Sequence, residues 1–252
     1  MAMKCYTRYG RRSMDNAALI EAQEASLVYH DGDREVRAVD AVSLQVRPSE
    51  FVGIVGPSGS GKSSLLYLLS GLKLPTRGSV RYHGQCYTDA SDAERSAMRR
   101  ERFGFVFQQP YLLGYLTVLE NVVVGAPDVG QYRKRALWLL EQLGLVDKAH
   151  RYPSALSGGE RQRACVARAL LMEPEVIFAD EPTAALDQQT GLHVLDLLEQ
   201  HRGSGAVVLV THDPLMLRYC DTVYKLRSGR VESVEQAQGK PVAHPSAPPP
   251  TP

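Results

Sequence analysis

The sequence predicts an α/β fold, and three patterns carry the prediction. Short apolar runs at 51–55, 176–179 and 206–210 alternate with longer helical patterns such as 62–70 and 191–201. Runs that are apolar on both faces and rich in Val and Ile belong to a parallel sheet covered by helices on each side. The stretches 26–29, 42–46 and 79–82 instead alternate apolar with polar side chains and are joined by turns such as His30-Asp31-Gly32-Asp33. They predict a small N-terminal antiparallel sheet. The third pattern is a mainly helical block, with segments 117–124, 133–143 and 157–172, inserted at about 110–172.

Composition agrees with a folded soluble domain and removes several classes. Of 252 residues, 44% are apolar and 23% charged, which argues against a fibrous or wholly disordered chain. Lys+Arg 29 against Asp+Glu 28 leaves a net charge of +1, so the chain has no electrostatic footprint for nucleic acid and none is expected as a partner. Cys5, Cys86, Cys165 and Cys220 are too scattered for a zinc site or a disulfide framework and suit a reducing cytosol. No apolar run approaches the roughly 18 residues of a membrane span, so membrane contact is expected to be peripheral. Residues 1–18 show no hydrophobic period and are expected to be a disordered tail, within which Met14 offers a second start. Residues 235–252 are expected to be a disordered proline-rich tail, leaving 19–234 as the folded domain.

Gly56, Pro57, Ser58, Gly59, Ser60, Gly61, Lys62 and Ser63 follow the strand FVGIV and precede the helical run SLLYLLSGL. The motif therefore sits in the strand, loop and helix context that a phosphate-binding loop requires. Small residues let consecutive N–H groups converge on phosphate oxygens, the helix N-terminus adds its positive dipole end, and Lys62 reaches the outer phosphates. The Ser63 hydroxyl is placed to ligate Mg²⁺. The fold class becomes an α/β P-loop NTPase core with a parallel sheet, an antiparallel β subdomain and an inserted α-helical subdomain. Asp180 and Glu181 end the apolar run VIFA, which puts two carboxylates at the sheet's carboxyl edge. Asp180 is expected to hold Mg²⁺, mainly through water, and Glu181 to polarise or deprotonate the attacking water.

At Leu156-Ser157-Gly158-Gly159-Glu160 the chain resembles the signature motif of the ABC transporter ATPases. Gln108 in FVFQQ resembles that family's Q-loop, Asp187 in Ala184-Ala185-Leu186-Asp187 its D-loop, and His212 in VTHD its switch histidine. Tyr29 is similar to the aromatic residue that stacks on adenine. The resemblance covers residues 19–234 with its motifs in order. It implies that Gln108 joins Ser63 and Asp180 at Mg²⁺, and that His212 contacts the γ-phosphate or its attacking water. It further implies a head-to-tail dimer of two copies around two ATP, in which Ser157, Gly158 and Gly159 of one copy close over the phosphates held by the other and Asp187 lies at the interface. Ser64 stands where Thr is usual, Glu160 where Gln is common, and TAALD where a close subfamily often has TGNLD. Each keeps the group that the motif needs.

Longer segments, among them RRERFGFVFQQPYLL and LVTHDPLMLRYCDTVYKLRSGRV, resemble the lipoprotein-releasing, macrolide-exporter and cell-division branch. That likeness implies an ATPase subunit working on a separate membrane permease from the inner face of the cell membrane, with residues 111–124 as the candidate permease-facing surface. An ABC ATPase of a non-transporting complex that regulates cell-wall hydrolysis is the alternative.

Overall fold

The computed structural model describes residues 17–32, 34–202 and 205–237. Most of the expected N-terminal tail, Met14 included, and the proline-rich stretch from 238 onward lie outside the described residues. The chain opens with a long antiparallel hairpin of β1 (Ile20–Asp31) and β2 (Arg34–Val46). Both strands are longer than the alternating runs at 26–29 and 42–46. Register shifts between Ala22 and Val28 interrupt the period-2 pattern, so a continuous ladder presents short alternating pieces. Strand β3 (Phe51–Val55) leads into helix α1 (Lys62–Leu69), after which β4 (Arg77–Tyr82) returns to pair with β1 and the short β5 (Gln85–Cys86). The first sheet has the order β2-β1-β4-β5 and is antiparallel throughout.

Next come helix α2 (Asp92–Arg102) and strand β6 (Phe103–Val106), neither marked by the apolar pattern. α2 buries no side chain and so has no apolar stripe; its signal is the capping box, in which Ser91 Oγ accepts from Glu94 N and Ser91 N donates to the Glu94 carboxylate. The helical block follows as α3 (Val118–Val123), α4 (Val129–Gln142) and α5 (Gly158–Leu170), within the predicted segments to a few residues. Then β7 (Val176–Asp180), α6 (Gln188–His201), β8 (Ala206–Val210), β9 (Thr222–Arg227) and β10 (Arg230–Gln236) complete the described chain. β10 takes in Glu235 and Gln236, residues that the sequence assigns to the tail.

The second sheet has the order β10-β9-β3-β8-β7-β6 and is parallel except for β10. Its inner strands divide their side chains strictly by parity. Val176, Phe178, Ala206, Val208 and Val210 join one core with α1 and the inner face of the antiparallel sheet. Ile177, Ala179, Val207 and Leu209 join the other with α3, α4, α5 and α6. Burial on both faces explains why these strands read as unbroken apolar runs. The antiparallel sheet does more than stand beside the parallel one, because it shares with α1 the task of covering one face.

Candidate functional site

Sheet order and register bring four chain segments to one edge. Ile54 is opposite Val210, Val210 is opposite Asp180, and Ala179 is opposite Val106. The residues that follow each strand therefore emerge side by side: Gly56 after β3, Gln108 after β6, Glu181 after β7 and His212 after β8. Two backbone bonds carry this registry past the strands, Thr211 N to Ile54 O at 3.3 Å and Glu181 N to Val210 O at 2.9 Å.

The loop 56–62 wraps into α1 through Gly61, which has φ +99° and caps the helix without any side-chain bond. A Cβ on Gly61 would lie 2.1 Å from the Ala38 carbonyl oxygen, so no other residue fits between the loop and β2. α1 also has no acidic residue in its first turn, whereas α2 to α6 each receive a side-chain cap at the N-terminus. Its first N–H groups are thus available to an anion. Lys62 folds back over the loop, and its Nζ donates to Gly56 O at 2.9 Å and Pro57 O at 3.1 Å. Ser60 is buried, and its Oγ has no protein partner.

Ser63, in the first turn of α1, has its hydroxyl near the carboxylate of Asp180 and lowers the pKa of that group. Asp180 is only 5% exposed. Burial raises its pKa above the ordinary value and the charge of Glu181 adds to this, while the Ser63 hydroxyl and Lys62 oppose it. A buried carboxylate with a hydroxyl beside it and a like charge next door is a donor set that a divalent cation fits, since the cation relieves the cost of the anion. Glu181 has φ +49°, a left-handed conformation costly for a residue with a Cβ. It turns the carboxylate toward β8, where Glu181 Oε1 lies 2.8 Å from His212 Nδ1.

The remaining predicted residues fall into two groups. Gln108 is exposed in the irregular segment after β6, at the same edge as Asp180, and Tyr29 is part-buried in β1 opposite Val36. Ser64 lies in the first turn of α1. Ser157, Gly158, Gly159 and Asp187 do not join the phosphate loop; their close contacts run to one another's neighbourhood. A Cβ on Gly159 would lie 3.0 Å from the Ala185 carbonyl oxygen, so the signature turn rests on the segment just before Asp187. Ser157 caps α5, accepting from Glu160 N at 3.2 Å while its own N–H donates to Glu160 Oε2 at 2.8 Å. Glu160 also pairs with Lys148, and these bonds hold its pKa down to about 2. Asp187 caps α6, accepting from Thr190 N at 3.0 Å and Thr190 Oγ1 at 2.7 Å.

One residue that organises the neighbourhood escaped sequence reasoning. Asn121, fully buried in α3, accepts from Leu113 N at 2.7 Å and donates to Leu113 O, Leu116 O and Thr117 O at 2.9 to 3.0 Å. It shapes the loop that carries the exposed Tyr111 and Tyr115. The only cue was a single Asn within the apolar helix pattern of 117–124.

A strand, glycine loop and helix facing an acidic strand end define a P-loop nucleotide hydrolase. The chain belongs to the ABC transporter family, whose model matches residues 39–184, and it is an ATP-binding, ATP-hydrolysing subunit of that class. It is 41% identical over 221 residues to an uncharacterised ABC transporter ATP-binding protein of Methanocaldococcus jannaschii, covering 86% of this chain and 99% of that one. It is 44% identical over 220 residues to the macrolide export ATP-binding/permease protein MacB of Hyphomonas neptunium, covering 85% of this chain but 34% of that protein. The chain thus spans about a third of the length of the macrolide export proteins it matches. Among solved structures, the ATP-binding cassette MJ0796, determined as a dimer in a post-hydrolysis state bound to ADP and Pi, is 38% identical, with a TM-score of 0.83 over 88% of this chain and 100% of that one. No helix among the described residues is long and apolar enough to cross a membrane.

Proposed function

We propose that two copies of this chain close head to tail around two MgATP and so drive a separate membrane permease of the lipoprotein-release or macrolide-export type. The observation that carries the catalytic part is the Glu181–His212 contact at 2.8 Å beside the Ser63–Asp180 pair. In this reading Tyr29 stacks on adenine, the N–H groups of the loop from Gly56 to Ser64 hold the phosphates, and Lys62 swings from its loop carbonyls to the outer phosphates. Ser63, Asp180 and Gln108 would hold Mg²⁺, which when bound would neutralise charge on the phosphates. Glu181 accepts a proton from the attacking water, and His212 orients that carboxylate and meets the γ-phosphate.

The second half-site is made by Ser157, Gly158 and Gly159. Ser157 Oγ accepts the cap bond, so its hydroxyl hydrogen remains available to a phosphate held by the partner copy. Asp187, which caps α6 next to the segment that the signature turn rests on, lines the interface in this reading. The dimeric form of the MJ0796 cassette supports this arrangement. The permease part rests on the fusion of matching sequence to a permease in the macrolide export proteins. It rests also on a groove of ≈ 340 Å³ lined by Phe105, Phe107, Val122, Val124, Ala126 and Arg168, which takes in the end of the candidate surface at 111–124.

The test is affinity purification of a Glu181→Gln variant from detergent-solubilised native membranes with and without MgATP, with bound proteins identified by mass spectrometry. A polytopic membrane protein retained at near-equal stoichiometry is the expected result. Recovery of soluble proteins or nucleic acid alone would sink the permease reading.

A further inference from the structure

Helix α5 leaves the signature turn at Ser157 and presents one face to the segment that carries Gln108. Three side chains at i, i+3 and i+6 on that face bind main-chain carbonyls of the segment. Gln162 Nε2 donates to Phe107 O at 3.0 Å, and the Cys165 thiol donates to Pro110 O. Arg168 donates from both terminal nitrogens, to Tyr111 O at 3.1 Å and to Pro110 O at 3.0 Å. Gln162 and Cys165 are buried, so their bonds do not compete with water. Burial pushes the Cys165 thiol up to about 11, which leaves it a neutral donor and not a nucleophile. Residues 107–111 form neither helix nor strand, and these bonds pin the segment on both sides of Gln108.

We infer that Gln162, Cys165 and Arg168 are positioning residues for Gln108, so that the helix beginning at the signature half-site also sets where Gln108 meets the metal and the attacking water. This rests on the reading of Gln108 given above. It gives the chain a physical link between its two half-sites: a shift of α5 on dimer closure moves the carbonyls at 107, 110 and 111, and Gln108 with them. The family's glutamine could be found from the sequence; the clamp could not, because Cys165 reads only as a buried residue of an apolar helix face.

The test uses the full chain, steady-state phosphate release and a Mg²⁺ titration at saturating ATP. Arg168→Ala is expected to lower kcat about 10-fold and to raise the Mg²⁺ concentration for half-maximal rate several-fold, with the KM for ATP within about twofold, as a misplacement of less than about 1 Å would do. Cys165→Ala should move both quantities the same way by less, and Cys165→Ser, which keeps a donor, should restore them. On a Gln108→Ala background, Arg168→Ala should add nothing. Should Arg168→Ala and Cys165→Ala lower Tm yet leave the Mg²⁺ dependence where it was, or should Arg168→Ala keep its full effect without Gln108, the clamp is merely structural and the inference is overturned. If Arg168→Ala does not fold, the Cys165→Ala and Cys165→Ser pair decides. A Gln108→Ala variant with unchanged kcat and Mg²⁺ dependence would instead remove the role of Gln108 itself, and the inference with it.

Discussion

Glu181 Oε1 and His212 Nδ1 lie 2.8 Å apart, joining the residues that follow two adjacent parallel strands. Glu181 has a left-handed backbone, at φ +49°, and its N–H donates to Val210 O at 2.9 Å. A carboxylate just past the end of one strand thus meets the imidazole beyond the next, from a residue whose backbone is strained.

Glu181→Gln is expected to lower kcat by about 10²–10⁴-fold while ATP binding stays within about twofold, because it removes the base and keeps the shape. His212→Ala should cost less, and the double variant should be no slower than Glu181→Gln alone, since the two side chains act as one unit. Phosphate release and nucleotide titration measure these effects.

Asp180→Asn should abolish hydrolysis and yet stabilise the protein without nucleotide or metal. Burial raises the pKa of Asp180 above its ordinary 3.8. A carboxyl raised in the folded state contributes stability below its unfolded pKa and loses it as pH rises through the folded pKa, so at pH 7 the buried charge is a net cost. The neutral amide removes it. Tm at pH 7 should rise by about 2–4 °C, the change about 1 kcal/mol makes in a chain of this size, and the gain should shrink toward pH 4.

The opposite sign applies to Glu175, which joins the start of β7 to the β4–β5 turn and the end of α2. His83 Nε2 at 2.8 Å, the Tyr82 hydroxyl at 2.5 Å and Arg102 at 2.7 Å all bond its carboxylate. The bond from His83 is the largest cause that holds its pKa down to about 2, from an ordinary 4.5. Stability from this group is fully present above pH 4.5 and lost as pH falls toward 2. Glu175→Gln should lower Tm at pH 7 by about 2–4 °C, and should flatten the acid limb of the Tm profile between about pH 4.5 and 2.

Lys148 neutralises Glu160 at the N-terminus of α5, where the proposed dimer brings in a phosphate. Lys148→Ala on the Glu181→Gln background should weaken ATP-dependent dimerisation several-fold at low salt, and Glu160→Gln should reverse the loss. Sedimentation with and without MgATP reads both outcomes.

The site was legible where chemistry is local. Gly56 to Ser63, the acidic pair after VIFA and the helix N-terminus at Ser157 are contiguous patterns whose geometry follows from a few backbone dihedrals and nearby hydrogen bonds, whereas the cap that Asp187 places on α6 came from the structure. Legibility ended where pairing skips along the chain. The bulged β1 and β2 broke their own alternation, and α2 had no apolar stripe to detect. Gln162, Cys165 and Arg168 gave no sign of a partner, because their acceptors are backbone carbonyls about fifty residues away.

By itself the sequence determined that this chain has an α/β core with a phosphate loop, two carboxylates at a strand end and a second helix N-terminus preceded by small residues. Period and composition suffice for that, since they report which faces are buried and which turns the backbone can make. Only the tertiary structure decided that β3 lies between β9 and β8, that β6 and β7 extend the same sheet, and hence that Gln108, Asp180, Glu181 and His212 leave it side by side. A run that is apolar on both faces specifies burial but no neighbour. Neighbours are chosen by packing across the whole sheet, which no local pattern encodes.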